Sequence, residues 1–323
     1  MKTKTKVWFI IAASLVLLGG ILFASVMTSL KWDFTELSTA EYEKNAYEID
    51  EAFDGISIKS DTADIVFAPS EDGKCRVECY EEKDAKHSVT VKDETLTIEL
   101  IDERTVYDFM GHIGLNFDTP KITVYLPKTE YTALYVEEST GDIEMPGIFT
   151  FKGADISLST GCVDFYASVA DALKIKTSTG NIKVKNLSAG ALELSSSTGS
   201  ITAWDISCGG DVSTKVSTGD VRLAGINCKN LVSKGSTGDI TLKNVIATAK
   251  FSVERSTGDV EFYGCDAAEI YVKTNTGDVE GSLHSDKTFF VQTNTGDVEV
   301  PKTVSGGKCE IVTNTGDIEI DIE

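Results

Sequence analysis

Ten glycines, Gly141, Gly161, Gly180, Gly199, Gly219, Gly238, Gly258, Gly277, Gly296 and Gly316, recur at intervals of 19 or 20 residues, each inside the same four-residue turn. A period this short and regular leaves few folds open. The chain is built of stacked repeats.

The turn reads Ser/Asn-Thr-Gly-Asp in seven copies, with Cys162, Asn181 and Ser200 in place of the aspartate in the other three. Glycine supplies a positive φ, and Asp or Asn satisfies nearby amides. The second residue after each glycine is β-branched in every copy, from Ile143 and Val163 to Val298 and Ile318. The fourth is mostly apolar, as in Phe165, Leu223 and Phe262, with polar residues such as Glu144, Lys183 and Arg222 between. That alternation predicts a strand with one buried face. A second alternating run precedes each glycine, with Leu173 and Ile175, or Phe251 and Val253, pointing inward, and a variable bend carrying Leu187, Ile206, Ile226 or Val245 completes the repeat. One such unit cannot bury its own apolar face; a stack can.

Leucine-rich repeats have a similar length but need a Leu/Asn ladder and a helical return, and calcium-binding nonapeptide rolls need two glycines and an aspartate every nine residues. Neither pattern is present. The expectation is an all-β, single-chain β-solenoid of about ten coils, roughly 50 Å long at ~4.8 Å per stacked strand.

The other end of the chain reads differently. Val7 to Leu30 carries no charge, and Lys2, Lys4 and Lys6 precede it. At ~1.5 Å per residue it is long enough to cross a ~30 Å hydrocarbon core. The lysines place the N-terminus in the cytoplasm and the rest of the chain outside. A cleaved signal peptide is the alternative, against which stand the length of the apolar run and the poor cleavage site at Ala24-Ser25-Val26. The expected organisation is a cytoplasmic tail and transmembrane anchor over 1–31, a stalk over 32–52 with partial helix through Thr39 to Lys44, an irregular β cap over 53–130, and solenoid repeats over 131–323. Within the cap, Ser60 to Ile65 reads as a worn copy of the later turn, and Asp102 to Thr119 reads as a loop.

Of 30 Lys and Arg, four fall in residues 1–31, where Asp and Glu are absent, so the exported part carries 26 basic against 51 acidic residues, a net charge of −25. Phosphate binding needs a basic surface, which excludes nucleic acid as a partner. Cationic peptides or metal ions suit such a surface better, and a glycan or envelope protein is also open.

The seven cysteines do not form a disulfide framework. Cys75 and Cys79 lie about 13 Å apart along one strand, too far to bond. Cys265 and Cys309 occupy inward apolar positions, and Cys208 and Cys228, at one offset on neighbouring coils, are the one pair placed to form a bridge. His87, His112 and His284 are scattered and read as surface or loop residues.

Phe53-Asp54-Gly55-Ile56, the Ala63-Asp64-Ile65 turn, Gly73-Lys74-Cys75-Arg76-Val77 and the Ser/Asn-Thr-Gly-Asp series together resemble the bacterial putative-adhesin family of β-strand-repeat domains, a family of unknown function, over nearly everything after residue 50. The resemblance implies an envelope-exposed β-solenoid and brings no catalytic residues with it.

Polysaccharide-active β-helix enzymes share a solenoid core, yet their chemistry needs one distinct constellation, whereas the acidic residues here repeat at one offset in every late coil. Asp259, Asp278, Asp297 and Asp317 form one column, and Glu261, Glu280, Glu299 and Glu319 a second. Either the aspartates cap their turns and the glutamates are solvated strand residues, or the columns form a Ca²⁺-binding or cationic-peptide face. No cofactor other than such a Ca²⁺ is implied. Tyr271 and Phe290 share an outward offset on successive repeats and offer a partner patch. The functional expectation is a non-catalytic extracytoplasmic surface module, anchored through Val7 to Leu30. The alternative is a structural scaffold or sensor subunit working with another membrane protein, for which Gly19-Gly20 provides a small-residue helix contact.

Overall fold

The computed structural model describes residues 3–32, 41–102 and 119–323, and its dominant feature is a parallel β-solenoid of about ten turns. The expected loop over Asp102 to Thr119 falls almost wholly outside the described residues, as does His112. The chain divides into two compact units, Met1–Glu43 with Glu81–Lys86 and Asp102–Thr119, and Lys44–Tyr80 with His87–Ile101 and Pro120–Glu323.

The first unit contains the helix Thr3–Ser29. Leu15, Val16, Leu17 and Leu18 are all more than half exposed. Four successive residues at ~100° steps point to every side, so the helix is apolar all round. Its apolar stretch Val7–Ser29, 23 residues, is long enough to cross a membrane. The helix ends where Lys31 and Trp32 turn to positive φ and the Trp32 amide returns to the Met27 carbonyl.

In the second unit each coil has three faces and three corners. The first face ends at the recurring threonine, as in Asp211–Thr218, whose Val212, Thr214 and Val216 point inward. The chain then turns at the glycine. At Gly258, φ is 134°, and a side chain would also run into the carbonyl oxygen of Gly238 one coil back. Stacking and turning thus both demand glycine there. The second face follows, stacking Ile182, Ile201, Val221, Ile240, Val260 and Val279 in register, all at most 1% exposed. Burying each such side chain contributes roughly 1.5–3 kcal/mol before chain entropy is counted.

The second corner was read in the sequence only as a variable bend. It is a left-handed column of Asn186, Asp205, Gly225, Asn244 and Gly264, with φ between 50° and 61°. Those three residue types are the ones that enter this region at least cost. The third face carries Leu187, Ile206, Ile226 and Val245 inward. Register shifts between Cys228 and Asn230, and between Ala247 and Lys250, place irregularities at the third corner.

The coils do not stack in the order of the sequence at either end. Val279 pairs with Ile318, and Ile318 with Val298, so the last coil in sequence lies between the two that precede it. At the other end Ile56 pairs with both Leu96 and Leu134, so the first coil, Gly55–Pro69, lies between the strands Thr95–Asp102 and Lys121–Leu126 on one side and Glu130–Met145 on the other. The worn turn at Ala63 takes the corner without glycine, its carbonyl packed where Gly141 leaves room. Beyond Lys121–Leu126 the segment Arg76–Tyr80 pairs antiparallel and covers the edge, as a solenoid end requires.

Three expectations are corrected here. Tyr42–Ile49 is a strand, so the helix expected through Thr39 to Lys44 does not form over its described part. Tyr47 is half-buried and Ile49 buried at alternate positions, which is strand periodicity. His87 is buried, not a surface residue, with Nε2 2.9 Å from the Ser60 hydroxyl. Cys208 and Cys228 are unbonded thiols. Cys208 Sγ instead lies 3.7 Å from the Gly190 carbonyl and 3.6 Å from that of Asp211.

Candidate functional site

The aspartate column is a hydrogen-bond ladder between coils. Asp220 accepts the Asp239 amide at 3.1 Å, Asp239 that of Asp259 at 3.0 Å, and Asp259 that of Asp278 at 2.8 Å. The reordered end continues it, Asp278 accepting from Asp317 and Asp317 from Asp297. Asn181 makes the same bond to Ser200 at 2.8 Å. Each aspartate but Asp297, the last in the stack, therefore serves the next coil rather than its own turn, and commits one carboxylate oxygen to structure.

Asp259, Asp278, Asp317 and Asp297 thus stack in that order, and the glutamates as Glu261, Glu280, Glu319 and Glu299. The eight residues lie on adjacent coils, with Glu319 interposed between Glu280 and Glu299. Partial burial comes first in lifting Glu280 above the ordinary carboxylate range, followed by repulsion from Glu261, Asp278, Glu319 and Asp259. No further group in this face points to an ion.

Tyr271 and Phe290 were expected on adjacent coils. The reordering puts Glu310 between them, since it pairs with both. They are two layers apart, about 10 Å. Phe290 is covered in part by Lys308, whose Nζ lies 5.5 Å from the ring centre.

A different strip went unnoticed in the sequence. On the second face, four consecutive coils present outward Lys183 and Lys185, Thr202 and Trp204, Arg222 and Ala224, then Thr241 and Lys243. None is acidic, although the chain carries a net charge of −21. Tyr166 lies before this stretch and Tyr263 after it. Lys185 Nζ is 4.5 Å from the Tyr166 ring centre and 5.7 Å from that of Trp204, while Lys243 is 5.9 Å from Tyr263. Lys183 pairs with Asp164 and Arg222 with Asp220. Lys185 and Lys243 make no ion pair among the described residues. The signal was available at a single offset, five residues after each glycine from Gly161 to Gly258.

His284 is exposed. Cys75, Cys228 and Cys309 are buried, and burial pushes each thiol up to about 12, which keeps them protonated and unreactive.

Among curated proteins nothing matches the chain. Several solved structures are similar. A putative adhesin from Parabacteroides merdae ATCC 43184 shares 13% identity, covering 87% of this chain and 97% of its own, with a TM-score of 0.47. A putative adhesin from Parabacteroides distasonis ATCC 8503 shares 14%, covering 87% and 98%, with a TM-score of 0.45. A putative lipid binding protein from the same organism shares 16%, covering 87% and 98%, with a TM-score of 0.43. The Toastrack DUF4097 family model matches residues 53–214 and 205–323, which together take in the whole solenoid. The chain belongs to the Toastrack DUF4097 family.

Proposed function

We propose that this protein is a non-catalytic surface module, held at the cell membrane by one uncleaved helix with its N-terminus in the cytoplasm and its solenoid outside. The observation that carries the reading is the helix stretch Val7–Val26, apolar on every side and exposed throughout. In water that surface is unfavourable; in hydrocarbon it is satisfied. The three lysines before it orient the span.

The solenoid supports a binding rather than a catalytic role. Its outward positions repeat a few residue types along columns, which suits an extended partner better than a single reacting centre. The names of the similar structures, adhesin and lipid binding protein, agree with a module of that kind.

Protease added to intact cells tests the arrangement. Digestion of the solenoid with survival of a membrane-embedded N-terminal fragment is the expected result. A solenoid protected until lysis places it in the cytoplasm, and a product released from membranes by alkaline carbonate rules out the anchor.

A further inference from the structure

The middle of the second face combines positive charge with aromatic rings, Tyr166 and Trp204 half-buried and Tyr263 exposed. Tyr166 and Trp204 are separated by the coil of Lys185, about 10 Å along the stack, and Lys185 sits between the two rings. Arg222 and Lys243 continue the cationic run, and Tyr263 ends it.

We propose that this strip binds an anionic polysaccharide lying along the coil axis, a polymer of uronate or sulfated sugars, and the inference rests on the extracytoplasmic placement above. The chemistry of each half selects part of the ligand. Aromatic side chains offer apolar faces to the C–H faces of sugar rings, and Tyr166, Trp204 and Tyr263 place such rings two and then three coils apart along one column. The lysine and arginine charges attract carboxylate or sulfate groups on the same polymer. The strip lies on an outward sheet face and lines none of the cavities among the described residues, so it suits a repeating chain laid across it rather than a compact molecule needing enclosure. Charge decides against a neutral glycan, because an uncharged polymer gains nothing from Lys185, Arg222 and Lys243. Glu261 on the coil of Tyr263 and Glu280 on the coil after it repel a polyanion at that end of the strip.

The test is affinity electrophoresis of the full-length chain in detergent micelles, through gels cast with polygalacturonate, pullulan or poly-L-glutamate. Polygalacturonate retards the wild type, and neither pullulan nor polyglutamate does so comparably. Trp204→Ala and the double variant Lys185→Glu/Lys243→Glu each weaken retardation at least about tenfold. Lys176→Glu, on the first face, leaves it unchanged, and thermal melts confirm that each variant is folded. Absence of retardation overturns the proposal, as does equal retardation by polyglutamate with Trp204→Ala unaffected, which assigns the strip to acidic peptides. Sedimentation showing wild-type self-association that Lys185→Glu/Lys243→Glu abolishes assigns it to a second copy and overturns the proposal equally. Loss of binding with a protease-accessible solenoid defeats the ligand alone; a protected solenoid defeats the placement.

Discussion

The guanidinium of Arg255 lies against the α-carbon of Gly235, where a side chain would collide with it, and Nη1 donates to the Val216 carbonyl oxygen at 3.2 Å. One side chain thus reaches across three coils. Arg255 is 3% exposed, and its Nε and Nη2 have no hydrogen-bond partner among the described residues. Burial pulls its pKa down, and Asp220 and Asp239 act to hold the charge.

Gly235→Ala is therefore expected to destabilise the solenoid by about 1–3 kcal/mol or more, since the new methyl overlaps both the guanidinium and the Val216 carbonyl. Arg255→Thr is expected to keep or raise the melting temperature. Other coils place a hydroxyl at this position: Thr274 donates to the Gly258 carbonyl and Ser196 to that of Gly180. Removing a buried, under-bonded charge is frequently neutral or favourable. A marked fall in the melting temperature of Arg255→Thr would show that the cation is a net stabiliser.

The aspartate ladder gives a test that separates hydrogen bonding from charge. Asp239→Ala removes the acceptor of the exposed Asp259 amide and should cost about 0.5–1.5 kcal/mol. Asp239→Asn should cost much less, because Asn181 already makes that bond in another coil. Equal losses from both variants, measured by urea unfolding, would mean that the carboxylate charge and not its acceptor geometry matters.

Glu138 is 3% exposed, and desolvation pushes its pKa up to about 7. Below the ordinary value near 4.5 the group is neutral whether folded or not. Between there and about 7 the native state retains a proton that the unfolded chain would release, so stability falls as pH rises, and above 7 the loss is complete. Glu138→Leu, matching its register partner Leu158, should remove this slope and gain of the order of 3 kcal/mol at pH 8 over its effect at pH 4. Identical melting shifts at the two pH values would contradict it.

The exposed glutamate column obeys the same sign. With Glu280 lifted by partial burial and its acidic neighbours, Glu280→Gln should raise the melting temperature at pH 7 and do nothing once acid has protonated the column. Added salt should shrink the difference. A benefit that persists at pH 3 would have another origin.

The order of the last coils can be read by crosslinking. Cysteines at Glu280 and Glu319 face each other on neighbouring strands and should oxidise to a disulfide, while cysteines at Glu280 and Glu299 are two layers apart and should not. Non-reducing peptide mapping distinguishes them, and the opposite pattern would restore sequential stacking.

The coil itself was legible because glycine turns and alternating aliphatics are local signals: Gly258 and Val260 announce a corner and an inward strand wherever they occur. Even the turn at Ala63, lacking glycine, could be recognised from the Asp64-Ile65 that follows it. Stacking order was not legible, because Gly277, Gly296 and Gly316 sit in identical Asn-Thr-Gly-Asp turns and any of them can lie on any other. That ambiguity separated Tyr271 from Phe290. The basic strip was overlooked for another reason: Lys185 and Trp204 stand apart in sequence, and a net charge averaged over the exported chain hides a local excess of the opposite sign. Burial of His87 depends on contacts between distant segments, such as that with Ser60, which no local pattern encodes.

Because the first and last coils in sequence each sit one layer inside the stack, neither is an edge that can be peeled from the solenoid. Extraction requires two rows of backbone bonds, one on either side, to fail together. A stack sewn this way resists unravelling in the manner of a tucked seam.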